Sequence, residues 1–315
     1  MVGERTFLND NAVLLDAQKY LAHLQMDAST RSGASPLLRA DEARRMMREH
    51  SDEMDLGTRL VGHLLIAKNP VLDLATSHAA GLIQFVKPFL RPVLRRVPVG
   101  TLATPDFTIK TTHAPAGGPV VIVPIGFLGA IHDIAERTAA ALPYGGCPEV
   151  SRADAAAYIR RRILYRPGQR WDEPPFRIRN FVKSVLTGGL GNDAVHFALA
   201  HEYAHVLGDL VGGAAAGAEA EYVADLVGSN LAVAAAAHPL NFQSSRRYGL
   251  AGAALVLHTT RVAEELGVVA VQRSHPPAVQ RLQRLHDHWR AAYGARIVRF
   301  LQPLEEVFDL AVTGL

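Results

Sequence analysis

Two histidines four residues apart, with a glutamate between them, stand inside an apolar stretch: His201-Glu202-Tyr203-Ala204-His205 within residues 193–211, DAVHFALAHEYAHVLGDLV. The stretch is rich in Ala and Leu and has no Pro. It sets Val195, Leu199, Val206 and Leu210 where they can face a core, so it predicts a helix. Asn192 and Asp193 are N-cap candidates, and Gly208 with Gly212 and Gly213 supplies a stop. Helical spacing brings both imidazoles to one face, one turn apart, where they can grip a single metal ion. A polar pentapeptide in so apolar a helix is costly unless something satisfies it, and a metal does. Glu202 then lies where it can take a proton from a water at the open position of the ion, the arrangement of a hydrolytic zinc site.

A catalytic zinc needs a third protein ligand and one open position. Sixteen residues beyond His205, Glu221-Tyr222-Val223-Ala224-Asp225 sets two acids one turn apart on a helix predicted over 216–237. Glu221 is the candidate third ligand. Asp225 is placed to accept a hydrogen bond from the other ring nitrogen of His201, a contact that fixes the tautomer of a ligating histidine. The connection DLVGGAAAGAEA has small residues and glycines that permit a tight reversal. Glu219 is a rival ligand, but no acid follows it four residues on.

H-E-x-x-H followed by E-x-x-A-D resembles the gluzincin metallopeptidases. Residues 119–128, PVVIVPIGFL, are similar to the strand-then-GLL opening of the catalytic domain in the CAAX-prenyl-protease and integral-membrane heat-shock protease family. Residues 221–231, EYVADLVGSNL, resemble that family's E-x-x-A-D-x-x-G segment, and residues 274–281, SHPPAVQR, its late S-H-P-P-x-x-x-R motif. The order agrees, and the likeness covers about 105–290. It implies an α+β, mainly α, zincin-like domain that cuts a protein or peptide substrate. One zinc ion would be held by His201, His205 and Glu221, with Glu202 as general base. His275 and Arg281 would stabilise the tetrahedral oxyanion, where cationic or N–H donors lower the barrier. Pro276 and Pro277 would set the backbone into a helix over 278–293. In this class of fold a small sheet lies above the metal helix and an edge strand can pair with an extended peptide; 107–112 and 119–125 are the candidate strands.

Two departures bear on the substrate. The longest apolar runs, 119–131, 223–237 and 249–258, fall short of the roughly 18–20 residues a membrane span requires. An additional stretch, about 143–192, separates the 119–142 unit from the metal helix. A prenylated or membrane-embedded substrate therefore does not follow from the resemblance.

Composition fits a globular protein, with 49% hydrophobic and 20% charged residues. A net charge of +3 is too small to argue for nucleic acid by itself. Cys147 is the single cysteine, which excludes an internal disulfide. It reads as a plain loop residue, with a thiolate over the metal as the alternative. The first twenty residues lack the basic-then-apolar pattern of a secretory signal, so a cytoplasmic location is expected.

The organisation expected is a helical N-terminal region, 1–100, followed by the catalytic domain, 101–315. Helices are predicted over 1–30, 36–68 and 129–142. Residues 71–97 are interrupted by Pro88 and Pro92, read as ending any helix there. Lys87, Arg91, Arg95 and Arg96 among Phe85, Phe89, Leu90 and Leu94 make 79–97 a candidate for peripheral membrane contact. Residues 151–183 interleave Arg160, Arg161, Arg162, Arg166, Arg170, Arg177, Arg179 and Lys183 with Tyr158, Tyr165, Trp171, Phe176 and Phe181. Cations with aromatics are a nucleic-acid signature. The alternative function is thus a nucleic-acid-associated regulator whose metal site is structural or serves to cut a repressor.

Overall fold

The structure is a computed structural model and describes residues 11–32, 38–39, 71–144, 146–165, 176, 178–211, 217–237, 246–270 and 275–314. Among these the chain is α+β and mainly helical. Helix α1 (Asn11–Ser32) comes first, then a two-residue strand pair, β1 (Leu38–Arg39) with β2 (Val71–Leu72), antiparallel. Helices α2 (Leu74–Ile83) and α3 (Arg91–Leu94) follow. The strands β3 (Val99–Leu102), β4 (Lys110–His113) and β5 (Pro119–Pro124) form one sheet of order β3-β5-β4. β3 runs parallel to β5, and β4 runs antiparallel to it with Thr111 opposite Val121. Seven further helices follow among the described residues: α4 (Ile125–Ala141), α5 (Arg152–Leu164), α6 (Phe181–Val211), α7 (Ala218–Ala236), α8 (Arg246–Glu265), α9 (Ala278–Tyr293) and α10 (Ala295–Thr313).

All six residues of β5 are buried because the strand is central and covered on both faces. Val120 and Ile122 pack against Ala17 and Leu21 of α1, while Val121 and Val123 join the main core on the other side. Of the two strands expected to offer an edge to substrate, β5 therefore cannot, whereas β4 is an edge strand. β3 has no clear signal of its own in the sequence; its pairing with β5 is what makes it a strand.

The spine is α6, against which α4, α7 and α8 pack. It begins at Phe181, not at 193, and runs through Gly208 to Val211; Gly212 and Gly213 lie outside the described residues. Asn192 and Asp193 are therefore interior residues rather than caps. Of the glycines at 188, 189 and 191 inside the helix, the one at 191 serves packing. A Cβ there would stand 2.4 Å from Nδ1 of His132 on α4. Near the start of α6 the buried Lys183 donates through Nζ to the carbonyls of Ala140 at 3.1 Å and Leu142 at 2.6 Å. These are among the carbonyls the end of α4 leaves without helical partners.

Other expectations are corrected here. Leu38–Arg39, placed in the helix 36–68, form a strand, because their backbones pair with Val71–Leu72; 40–68 lies outside the described residues, as does 1–10. Pro92 stands in the first turn of α3 and so begins a helix instead of ending one. α4 starts at Ile125, directly off β5, four residues before the expected 129. The boundary expected at residue 100 falls inside β3. Ala75, Leu82 and Leu94 lie in the same core cluster as Leu128, Ile131 and Leu199.

Several cations of 151–183 are engaged within the fold. Arg160 Nη1 donates to the carbonyls of Ala311 and Val312 at the end of α10, and Arg162 Nε donates to Asp133 at 2.6 Å. Arg137 lies over the rings of Tyr158 and Phe176. Arg166, Arg170, Trp171 and Arg177 lie outside the described residues. Among the described residues no helix is long and apolar enough to cross a membrane.

Asp193 carries a test of this packing. Burial pushes its carboxyl up to about 8. The folded state therefore keeps a proton that the unfolded chain, near 3.9, has released. Its contribution is favourable below the unfolded value and is lost as pH rises from about 4 toward about 8. Asp193→Asn is expected to melt higher than the parent at pH 8, by roughly 5 °C or more, with the gap shrinking toward pH 5. A gap that stays constant across that range in thermal melts would mean the carboxyl is not buried in its neutral form.

Candidate metal centre

Helices α6 and α7 cross at Gly228. A Cβ at that position would stand 3.1 Å from the amide nitrogen of His201 and 3.2 Å from the carbonyl oxygen of Phe197. The missing side chain lets the backbones close. Glu221, Asp225 and Gly228 follow at i, i+4 and i+7, so the face that makes the crossing also carries both carboxylates. They fall opposite the histidines of α6.

The ring nitrogens His201 Nε2 and His205 Nε2 are 3.1 Å apart. The Glu221 carboxylate bridges them, with Oε2 3.3 Å from His201 Nε2 and Oε1 3.4 Å from His205 Nε2. One donor atom from each of the three residues lies within 4.8 Å of the others, a spacing that could hold one metal ion. The chemistry of the donors fits a cation. Two imidazole nitrogens point at each other, and buried Glu221 Oε2 has no hydrogen-bond partner. Two imidazoles with one carboxylate is a donor set that suits zinc and leaves a position open.

Behind this group, Asp225 Oδ1 lies 3.0 Å from His201 Nδ1. With Nδ1 as donor, the lone pair of Nε2 is left facing the centre. Asp225 is itself clamped by Arg281, whose Nε donates to Oδ2 at 2.7 Å and Nη2 to Oδ1 at 2.6 Å. Charge follows geometry. Burial alone would push His201 down, but its hydrogen bond to Asp225 and its close contact with the Glu221 carboxylate outweigh it and raise the imidazole to about 9. Burial acts to raise both carboxyls; Arg281 and His201 hold Asp225 below the usual carboxylate range, and the two histidines do the same for Glu221.

Glu202 is buried and points to the sheet. Thr111 Oγ1 on β4 donates to its Oε2 at 2.8 Å. Alternation along β4 explains the contact. Lys110 and Thr112 face the groove beneath α1, with Tyr20 and Leu24, whereas Thr111 and His113 face α6. His113 Nε2 lies 3.7 Å from Asp209, so the strand tracks the helix over two turns. The outer edge of β4 carries no strand among the described residues.

A cavity of about 210 Å³ opens on the centre, with His201, Glu202, Glu221, His275 and Arg281 in its wall. His275 Nε2 is 3.2 Å from Glu221 Oε1, and its side chain is half-exposed. Arg281 Nη1 is 3.6 Å from Glu221, but the other two guanidinium nitrogens are committed to Asp225. All seven expected site residues are thus brought to one place. Glu219 is not among them; it is exposed and pairs with Arg284 at 3.0 Å. Cys147 is exposed and stands outside the metal-binding group; Ser274 lies outside the described residues. Thr111 and Glu264, which also lines the cavity, have no sequence signal, since only the strand register and the packing of α8 bring them in.

No protein-family model matches the chain, and no curated protein or solved structure does either.

The Asp225–His201 contact predicts a measurable affinity. Asp225→Asn keeps the shape but weakens the acceptor, and is expected to lower zinc affinity about 10- to 100-fold in a chelator competition. Unchanged affinity would mean that Asp225 does not orient the imidazole.

Proposed function

We propose that this chain is a zinc-dependent endopeptidase of zincin-like fold, akin to the gluzincins, acting on a protein or peptide substrate. The observation that carries the reading is the convergence of His201, His205 and Glu221 beside Glu202, a carboxylate already anchored by an edge strand. When bound, the metal would polarise the scissile carbonyl and make a water acidic enough to lose its proton near neutral pH.

The residues divide the remaining work. His201, His205 and Glu221 hold the ion, and Asp225 keeps His201 in the ligating tautomer. Thr111 holds Oε2 of Glu202, leaving the other oxygen to take the proton of the attacking water and pass it to the departing amine. His275, at the half-exposed side of the cluster, donates to the carbonyl oxygen as it gains charge. Arg281 acts mainly through Asp225, with its cavity-side nitrogen adding positive potential. The open edge of β4 takes the substrate backbone as an added strand, which aligns the peptide across the cavity.

Purified protein is expected to carry about one zinc per chain by elemental analysis. Glu202→Gln is expected to keep that zinc while cleaving an unstructured protein such as casein at least about 100-fold more slowly. Cleavage by the variant at the parent rate would remove Glu202 as the base, and protein that cannot be loaded with zinc would remove the reading altogether.

Thr111 gives a finer test. Thr111→Val is expected to lower kcat about tenfold with KM nearly unchanged, and Thr111→Ser, which restores the hydroxyl, to recover most of it. Equal losses in both variants would assign Thr111 to packing rather than to the orientation of Glu202.

A further inference from the structure

Beyond the metal ligands, the cavity has one wall made by α8. Val256, Thr260 and Glu264 follow at four-residue intervals and face inward. Phe107, Ile109 and Phe127 line the same cavity. The space beside the His201–His205–Glu221 group is therefore largely apolar, the Thr260 hydroxyl being turned back to the Val256 carbonyl, and has a carboxylate in the last turn of α8.

Glu264 is fixed there. Its Oε2 accepts the amide N–H of Ala278, the first residue of α9, at 2.9 Å, which leaves its other oxygen for the cavity. The carbonyl ends of α8 and the first N–H groups of α9 carry opposite partial charges and offset one another there, so the charge of the carboxylate itself remains. Among the described residues Arg281 acts on Glu264 by its charge, but its hydrogen bonds go to Asp225. A divalent ion would answer Glu221 and Glu202, and Arg281 answers Asp225. Among the described residues Glu264 then has no ion pair of its own. Burial raises the carboxyl of Glu264, as it does for an acid short of counter-charge.

We infer that this slot receives a lysine or arginine side chain of the substrate, with its aliphatic stem between the apolar walls and its charge on Glu264. An apolar side chain of the same length would cover the carboxylate and offer it nothing. A cationic one completes the charge balance and gains a charge-assisted hydrogen bond. The substrate class rests on the peptidase reading above; the cation site itself does not.

The test uses the full chain, zinc-loaded, with n-butylguanidinium as the cationic probe and 1-pentanol as its uncharged counterpart. Calorimetry or ligand-observed NMR is expected to show the guanidinium binding at least about tenfold more tightly than the alcohol. Glu264→Gln is expected to lose about tenfold in guanidinium affinity. The amide oxygen still accepts the Ala278 N–H, so the start of α9 is kept. In casein digests mapped by mass spectrometry, the wild-type cut sites are expected to carry Lys or Arg at one fixed position, and Glu264→Gln to lose that enrichment. Equal guanidinium binding by both proteins, or an enrichment that survives the substitution, would overturn the inference. Glu264-dependent binding without any cut sites would keep the cation slot and refute the peptidase. Cut sites with no basic preference, together with no Glu264-dependent binding, would refute the slot and keep the peptidase.

Discussion

The near-contact of two helix backbones at Gly228 is the constraint on which the centre depends. Side chains as short as aspartate and glutamate reach imidazoles on a neighbouring helix only if the axes come close, and ordinary side chains hold packed helices about 8–10 Å apart. Gly228 removes that spacer beside His201. Glu221 and Asp225 are then carried into a largely apolar interior, where unpaired charge is not tolerated. They stand there because Arg281 and His201 meet them. The four residues form one unit, and removing any member leaves another's charge buried, a loss of about 3–5 kcal/mol in comparable cases.

This interdependence explains which parts were legible in the chain. His201, Glu202 and His205 declare themselves because one helix turn is enough to relate them. Glu221 and Asp225 also stand out, since their spacing of four matches that of the histidines. His275 and Arg281 are legible only by likeness to a motif; neither spacing nor composition ties them to α6. Thr111 and Glu264 carry no signal, because their roles arise from the register of β4 on β5 and from the face α8 turns inward. The same limit governs the fold. β5 is evident from PVVIVP, but β3 exists only by pairing with it. The start of α6 is hidden by three glycines whose purpose at 191 is to admit the ring of His132.

The basic side chains of 151–183 that the structure describes make contacts the sequence does not announce. A guanidinium looks like a surface charge in one dimension, yet Arg160 ends the last helix by donating to its carbonyls and Arg162 ties α5 to α4. Lys183 does the same for the end of α4 from a fully buried position. Polar side chains here act as closures for helix ends, which lets several helices meet without leaving backbone groups stranded.

The bond between Thr111 and Glu202 has a consequence for how faithfully this chain must assemble. Neighbours along a strand point to opposite faces, so sliding β4 by a single residue would turn Thr111 toward α1 and present a different side chain to Glu202. The hydrophobic faces of β5 penalise such a slip only moderately, because β4 itself is short and polar. A misaligned molecule would therefore keep its core, its helices and the His201–His205–Glu221 group, yet lose the hydroxyl that anchors Glu202.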